Sequence, residues 1–105
     1  MIKRIWYGWT RPENADAYEA LVREEVFPGI AARSGEGFRG AELLRLAADG
    51  EVRFMTVMAF DSPATIRRLA GDDATRAYVP EKARALLSRW DERAQHFESR
   101  VEHKP

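Results

Sequence analysis

Two segments of the chain carry large apolar side chains on consecutive residues, and this pattern restricts the possible folds more than any other. The first, Ile2–Thr10, divides into two alternating sets, with Ile5, Tyr7 and Trp9 in one and Trp6 and Gly8 in the other. The second, Val52–Phe60, does the same, with Val52, Phe54, Thr56, Met58 and Phe60 in one set and Met55, Val57 and Ala59 in the other. Neighbouring residues of a strand point to opposite faces of a sheet. Both segments are therefore predicted to be central strands that are covered on both sides.

Helical spacing follows the first strand. Arg11-Pro12 is predicted to stop the strand, because proline cannot donate to the hydrogen-bond ladder, and Pro12 suits the first turn of a helix. From Glu13 onward, apolar residues fall on one stripe of a helix, and acidic residues lie near its start. Pro28-Gly29 is predicted to end or kink this helix. Arg33–Gly37 has the composition of a loop.

The middle of the chain predicts a β-hairpin. Phe38–Ala48 has the composition of a second strand, and Asp49-Gly50 separates it from the third. Both turn residues tolerate a positive φ, which a tight hairpin turn requires. After the third strand, Ser62 and Pro63 predict the start of a helix that Gly71 closes.

Two further elements are predicted toward the end of the chain. A helical region follows Asp72-Asp73, is interrupted at Val79-Pro80 and extends to Trp90. From Ala94 to Val101 the side chains alternate, which predicts a fourth and final strand. The order strand, helix, strand, strand, helix, strand defines an α+β, ferredoxin-like βαββαβ unit with a four-stranded antiparallel sheet.

One face of such a sheet is covered by helices, and the other is left open. Since the two central strands are apolar on both sides, we expect the open face to be an interface. We predict a homodimer in which two sheets pack face to face, a self-complementary contact that forms a dimeric α/β barrel. The 105 residues suit one domain, which is predicted at residues 1–101, followed by a polar tail at residues 102–105.

The charge balance and the residue types exclude several classes of function. Lys and Arg number 17, as do Asp and Glu, so the formal net charge is zero. This balance argues against nucleic-acid binding and against docking on anionic membranes. The chain has no cysteine, which excludes disulfides, thiolate metal sites and cysteine nucleophiles. No apolar run is long enough to span a membrane and the N-terminal residues lack the pattern of a signal peptide, so we expect a cytoplasmic protein.

Several segments of the chain resemble a known family. They are Ile5–Pro12, Ala15–Tyr18, Phe60–Ser62 with Ala64 and Ile66, Ala70–Asp73, Tyr78–Glu81 and Glu92–Glu98. Taken in order, they resemble small bacterial proteins of the antibiotic biosynthesis monooxygenase-like family, within the dimeric α/β-barrel superfamily. The resemblance implies the same fold and a sheet-to-sheet dimer. This superfamily includes cofactor-free oxygenases of aromatic polyketides, haem-degrading enzymes and small-molecule isomerases, so the fold alone does not select a reaction.

Three residues are candidates for a small-molecule site. His96 lies in the predicted last strand, and an imidazole can act as a base or an acid near neutral pH. Trp6 and Tyr78 are candidates for the wall of an apolar cleft, in which either would donate a hydrogen bond. Structural roles are the alternative for all three. A histidine can simply hydrogen-bond a backbone carbonyl, and aromatic residues mostly pack in cores and interfaces.

The resemblance and these residues lead to three hypotheses. The first is a cofactor-independent monooxygenase that acts on an aromatic or polyketide-type small molecule, with His96 as the base and Tyr78 or Trp6 as the donor. The second is a non-catalytic dimeric ligand-binding or stress-related protein of the same fold, which the lack of an evident acid–base dyad favours. The third is haem degradation with His96 as the axial ligand, because His103 lies in the tail. Neither a metal site nor a cofactor is expected.

Four arginines toward the C-terminus are predicted to be solvated and paired with nearby acids. The arginines are Arg84, Arg89, Arg93 and Arg100, and the acids are Glu81, Asp91, Glu92 and Glu98. Exposed pairs of this kind stabilise a fold by about 0–1 kcal/mol each. An arginine can also stabilise an enolate or phenolate oxygen, but the spacing selects none of the four.

Overall fold

The two apolar segments form the middle of one antiparallel sheet. In the computed structural model, which describes residues 1–105, the strands are β1 (Ile2–Thr10), β2 (Phe38–Ala48), β3 (Glu51–Phe60), β4 (Leu87–Trp90) and β5 (Gln95–Glu98). β3 lies between β2 and β1, and both β4 and β5 pair with the other edge of β1. All of these pairs are antiparallel. The predicted α+β, ferredoxin-like fold is confirmed.

Two short strands share the fourth position of the sheet. β4 pairs with Gly8–Thr10 of β1, and β5 pairs with Ile2–Ile5. The predicted helical region up to Trp90 is therefore wrong in extent, since the helix α4 covers only Glu81–Leu86 and the next residues are extended. Backbone groups along the edge of β1 need partners, and pairing with them overrides the local helical pattern. The last strand is also shorter than predicted and ends at Glu98.

Of the two outcomes predicted at Pro28-Gly29, an end or a kink, the first does not occur, because the helical run continues past these residues. A 3-10 turn at Pro12–Asn14 leads into α1 (Ala15–Leu21), a π-helical turn at Val22–Val26 follows, and α2 covers Phe27–Ser34. The π-helical turn ends at Val26, two residues before Pro28. Proline lacks an N–H, and its ring would meet a carbonyl of the preceding turn of a regular α-helix. The π-helical turn shifts the hydrogen-bond pattern of the helix at this point. The proline thus occupies the first turn of α2 rather than the end of a helix.

The hairpin and the helix after it form as predicted. Asp49 and Gly50 join β2 to β3 with φ values of 55° and 78°, the left-handed conformation that such a turn requires. The helix α3 covers Pro63–Ala70, and the hydroxyl of its N-cap Ser62 accepts a hydrogen bond from the Thr65 N–H at 3.4 Å.

Residues 71–80, here called the crossing segment, connect α3 to α4 and contain no helix, although the sequence predicted one. The backbone of this segment is hydrogen-bonded to the residues between β4 and β5. The Ala77 N–H donates to the Glu92 carbonyl at 3.0 Å, and the Ala94 N–H donates to the Thr75 carbonyl at 2.7 Å. These long-range bonds replace the local ones that a helix would supply.

The two faces of the sheet differ in what covers them. The helices cover the even-numbered side chains of β1 and β3, and residues such as Trp6, Phe54 and Met58 are buried there. On the opposite face, Tyr7 pairs with Met55, which in turn pairs with Leu44. Large apolar groups remain exposed on this face, including Leu44, Leu46 and Phe97. We call it the open face.

Residues 99–105 have no regular secondary structure. The Ser99 N–H still donates to the Met1 carbonyl at 2.9 Å, which ties the end of β5 to the start of β1. The division between a domain at residues 1–101 and a tail at residues 102–105 stays a prediction. No helix of the protein is long and apolar enough to cross a membrane.

Candidate functional site

A small cavity lies between the covered face of the sheet and the helices. Its volume is about 30 Å³, and ten of its 13 lining residues are hydrophobic. The apolar walls come from the helical run and from β3, and include Val22, Val26, Ile30 and Met58. Polar atoms reach it from a few residues, among them Arg4, Thr56 and Tyr78. An apolar cavity with few polar groups is the usual form of a small-molecule site.

Arg4 is the charged residue of this cavity, and it is only 1% exposed. Its Nη1 donates to the Ala74 carbonyl at 2.5 Å, and its Nη2 donates to the Arg76 carbonyl at 2.7 Å. The guanidinium therefore holds the crossing segment against the sheet. Burial lowers the Arg4 pKa to about 10, so the side chain remains a cation at neutral pH.

His96 is the third hydrogen-bond partner of Arg4. The two residues are directly opposite each other in the pairing of β1 with β5, and Nη1 of Arg4 lies 2.8 Å from Nε2 of His96. A guanidinium can only donate, so Nε2 accepts and the imidazole is neutral with its proton on Nδ1. Burial, and then the charge of Arg4, hold the His96 pKa below its usual range. His96 does not line the cavity itself.

Trp6 lines the cavity, but its N–H already donates to a backbone carbonyl. The indole Nε1 donates to the Asp91 carbonyl at 2.7 Å. Indole has one N–H, so Trp6 contributes its ring and not the hydrogen-bond donor expected of it. Gly8 leaves space for this ring, since a Cβ at Gly8 would lie 3.2 Å from Trp6 and 3.0 Å from Leu87.

Tyr78 also lines the cavity, and it is half-buried at the end of the crossing segment. The guanidinium of Arg33 lies 4.9 Å from the centre of its ring, a cation–π contact. The Val79 carbonyl next to it accepts a hydrogen bond from Arg84 Nε at 3.0 Å. A second phenol, that of Tyr18, lines the same cavity, and burial raises its pKa to about 12.

The structure brings two of the three predicted site residues to one cavity. Trp6 and Tyr78 form part of its wall, and His96 reaches it only through Arg4. A haem ligand would have to point into the cleft, and His96 does not. Nowhere do three or more His, Cys, Asp or Glu side chains cluster so as to hold a metal ion.

Sequence reasoning missed Arg4, although a signal for it exists. Arg4 belongs to the same alternating set as Trp6, which the helices bury. A charged residue at a position predicted to be buried needs hydrogen-bond partners, and it marks a site to examine.

The C-terminal arginines are solvated, as predicted, but most of their partners differ. Arg89 pairs with Glu51 of β3 at 3.0 Å, and Arg93 pairs with Asp73 of the crossing segment. These acids are distant in sequence, which is why spacing did not identify them. Arg100 does pair with Glu98, at 3.6 Å.

Comparisons with known proteins support the fold. No protein-family profile and no curated protein sequence matches the chain. Among solved structures, Rv0793 from Mycobacterium tuberculosis superposes with a TM-score of 0.58 at 18% identity, over 98% of each chain. A protein from Chloroflexus aurantiacus J-10-fl, provisionally named an antibiotic biosynthesis monooxygenase, has a TM-score of 0.48 at 17% identity, over 98% of this chain and 96% of its own. At 18% identity the likeness to Rv0793 shows a shared fold and no more.

Proposed function

We propose that the protein binds the anion of a small aromatic molecule beside Arg4 and promotes its cofactor-independent monooxygenation. The observation that carries the proposal is the guanidinium of Arg4, a buried cation in an apolar cavity. Its hydrogen bonds go to two backbone carbonyls and an imidazole, so no carboxylate offsets its charge. A buried charge that lacks a counter-charge attracts an anion strongly, because the surroundings screen it poorly.

An Arg4 cation would make a phenol or enol more acidic. Each oppositely charged neighbour at hydrogen-bond distance favours the ionised form, so the substrate pKa falls toward neutral pH. The cation also stabilises the negative charge throughout the reaction, as the donors of an oxyanion hole do. This role fits Arg4 because its geometry is already fixed by Ala74 and Arg76.

His96 is the base in this proposal. An oxygen that accepts from Nη1 of Arg4 lies within about 6 Å of Nε2 of His96, two hydrogen-bond lengths, so the proton moves directly or through one water. When the substrate oxygen takes over the hydrogen bond from Arg4, Nε2 is released to accept the proton. The imidazolium and guanidinium then flank one anion, which offsets their mutual repulsion.

The electrons for the reaction come from the substrate. In an anthrone-type substrate, the anion transfers electrons to dioxygen and forms a substrate peroxide. Loss of water then turns the methylene into a carbonyl. One oxygen atom stays in the product, and the other leaves as water with the two methylene hydrogens, so the four electrons that dioxygen accepts are those the carbon loses.

Substrate entry requires the crossing segment to move. A cavity of about 30 Å³ holds about one water molecule, whereas ligand pockets enclose about 300 Å³ or more. Residues 78–80 of the wall have no regular secondary structure. They are the part of the wall that can be displaced without breaking a helix or a strand.

A second candidate function is ligand binding without turnover. In the structure, the Nε2 atom of His96 already accepts from Arg4, so no side chain presents a free base to the cavity. A protein that only captures an aromatic anion needs Arg4 and the apolar walls, and it needs no base.

We further propose that the protein is a homodimer that pairs through its open face. The sheet has four strand positions that are about 4.8 Å apart and about 30 Å long. Treated as a flat surface, the open face therefore has an area of about 600 Å², and protruding side chains increase it. A standard interface takes about 800 Å² from each partner. Exposed apolar residues lie across this face, with Leu46 54% and Phe97 53% exposed. The occupant we propose is a second copy of the chain, since one apolar face can cover another.

Oxygen consumption with a panel of anthrone-type substrates tests the first proposal. We expect turnover above the buffer rate that falls strongly in His96→Ala and Arg4→Met, and not in Arg39→Met, an exposed arginine of β2. Rates equal to buffer would overturn the monooxygenase proposal.

Binding is tested separately with a nitrophenol, whose anion absorbs at longer wavelength than the neutral phenol. Its bound pKa should fall in the wild type and not in Arg4→Met, and a bound phenol that is never converted would favour the second candidate.

A further inference from the structure

Four arginines line a groove on the outer side of the crossing segment. Arg33 belongs to α2, Arg68 to α3, Arg76 to the crossing segment and Arg84 to α4. The groove has a volume of about 390 Å³, and none of its lining residues is acidic. The whole chain carries equal numbers of positive and negative residues, so this concentration of one sign is local. We call it the arginine groove.

Three of the four arginine side chains are held in place by backbone carbonyls rather than by carboxylates. Arg33 donates to the Leu69 carbonyl at 3.3 Å, Arg68 to the Ser34 carbonyl at 3.2 Å and Arg84 to the Val79 carbonyl at 3.0 Å. These bonds restrict the guanidinium groups and leave their charges uncompensated. A ligand that meets cations already in position loses less side-chain entropy on binding. Other arginines of the chain, such as Arg45 and Arg89, are neutralised by acids instead.

The groove and the cavity share one wall. Tyr78 and Val79 line both, so they separate the arginine groove from the space beside Arg4. A neighbouring polar depression also uses Arg76 and Arg84, and it contains two acids, Asp73 and Glu92. Asp73 is paired with Arg93 there, and neither Asp73 nor Glu92 lines the arginine groove itself.

We propose that the arginine groove binds a phosphoryl or diphosphoryl group. A single carboxylate would offset one of four positive charges, whereas a diphosphate offers several charged oxygens within one groove. Guanidinium groups also match phosphate geometry with paired hydrogen bonds. Where the proposed function holds, this group belongs to the substrate, and its aromatic part passes Tyr78 into the cavity. The substrate class is then an aromatic molecule that carries a phosphate or diphosphate ester.

Calorimetric titration of the full chain with sodium pyrophosphate tests the groove. Arg76→Gln is the most informative variant, because the Arg76 side chain makes no hydrogen bond whose loss would disturb the fold. Arg67→Gln is its matched control, since Arg67 is an exposed arginine of α3 that does not line the groove. We expect pyrophosphate to bind the wild type, Arg76→Gln to bind about tenfold more weakly, and Arg67→Gln to bind within about twofold of the wild type. Inorganic phosphate should bind more weakly, and acetate should not compete.

Two results would overturn the proposal. One is no binding of pyrophosphate by the wild type at low salt. The other is an equal loss of affinity in Arg76→Gln and Arg67→Gln, which would mean that total charge alone attracts the anion. Neither measurement involves oxygen or an aromatic substrate. If the titration fails but oxygen consumption is observed, the groove proposal is wrong and the proposed function stands. If pyrophosphate binds but no oxygen is consumed, the groove proposal stands and the proposed function is wrong.

Discussion

Arg4 of β1 and His96 of β5 lie directly opposite each other on paired strands, with 2.8 Å between Nη1 and Nε2. The guanidinium can only donate, so the contact exists only while His96 is neutral. Protonation of His96 would remove the acceptor and set two cations against each other. The state of His96 therefore controls how Arg4 is held, and through Arg4 it affects the crossing segment.

The first prediction is that the protein loses stability in mildly acidic solution because of His96. The unfolded chain binds a proton at this histidine near pH 6.5, whereas the folded protein binds it only at a lower pH. Between these values the unfolded state holds more protons, so the free energy of unfolding decreases as the pH falls. Urea denaturation at about pH 8 and about pH 5.5 should show a smaller difference in His96→Gln than in the wild type.

The His96 pKa itself can be followed by NMR of the imidazole signals, assigned with the His96→Gln variant. We expect it below the usual value in the wild type. In Arg4→Met, which removes the neighbouring charge, it should rise. An unchanged His96 pKa in a folded Arg4→Met variant would contradict the interaction.

The second prediction concerns the structural role of Arg4. Arg4→Met leaves the carbonyls of Ala74 and Arg76 without their donor, and it also removes the cost of burying a charge. We expect a net loss of about 2–4 kcal/mol in the free energy of unfolding. Arg4→Lys keeps a donor and should lose less. Denaturant unfolding gives both values, with Arg39→Met as the exposed control, and equal stabilities of Arg4→Met and wild type would refute the role.

The sequence predicted the strands well because their signals are short-range. The alternating sets of β1 and β3 and the Asp49-Gly50 turn are each contained in a few consecutive residues. The region from residue 71 to Trp90 was predicted less well, because its structure depends on partners far along the chain. The Ala77 N–H bonds to Glu92, and β4 pairs with the end of β1. The spacing of apolar and polar residues along the sequence does not predict these long-range contacts.

The candidate site was predicted in part for the same reason. The aromatic residues Trp6 and Tyr78 are visible as possible cleft residues from their types and neighbours. The partner of His96 is not, because Arg4 precedes it by 92 positions and meets it only through strand pairing. Arg4 therefore lies between His96 and the cavity because β1 pairs with β5, and this pairing is not visible in the sequence.

The third prediction is that the cavity limits which ligands bind. Met58 is buried and lines the cavity, whereas Met55 on the same strand faces the open side. Met58→Ala should cost about 2–5 kcal/mol of stability and enlarge the cavity. Affinity for a naphthol probe, measured by fluorescence titration, should therefore rise. Met55→Ala is the matched control and should leave the affinity unchanged, so a similar gain in both variants would place the probe elsewhere.

The fourth prediction separates the two faces of β3 and tests the dimer. Met58→Glu places a charge in the core beside Phe60 and Ile66, so the variant should not fold. Met55→Glu places the same charge on the open face, where a partner sheet would bury it, so this variant should stay folded and become monomeric. Sedimentation and circular dichroism distinguish these outcomes, with Ala17→Glu on the exposed side of α1 as the control.

The wild type tests the same dimer without a substitution, because the melting temperature of a dimer should rise with protein concentration. A wild-type chain that sediments as a folded 12.0 kDa monomer at micromolar concentration would contradict the dimer, because the open face would then be stable in water.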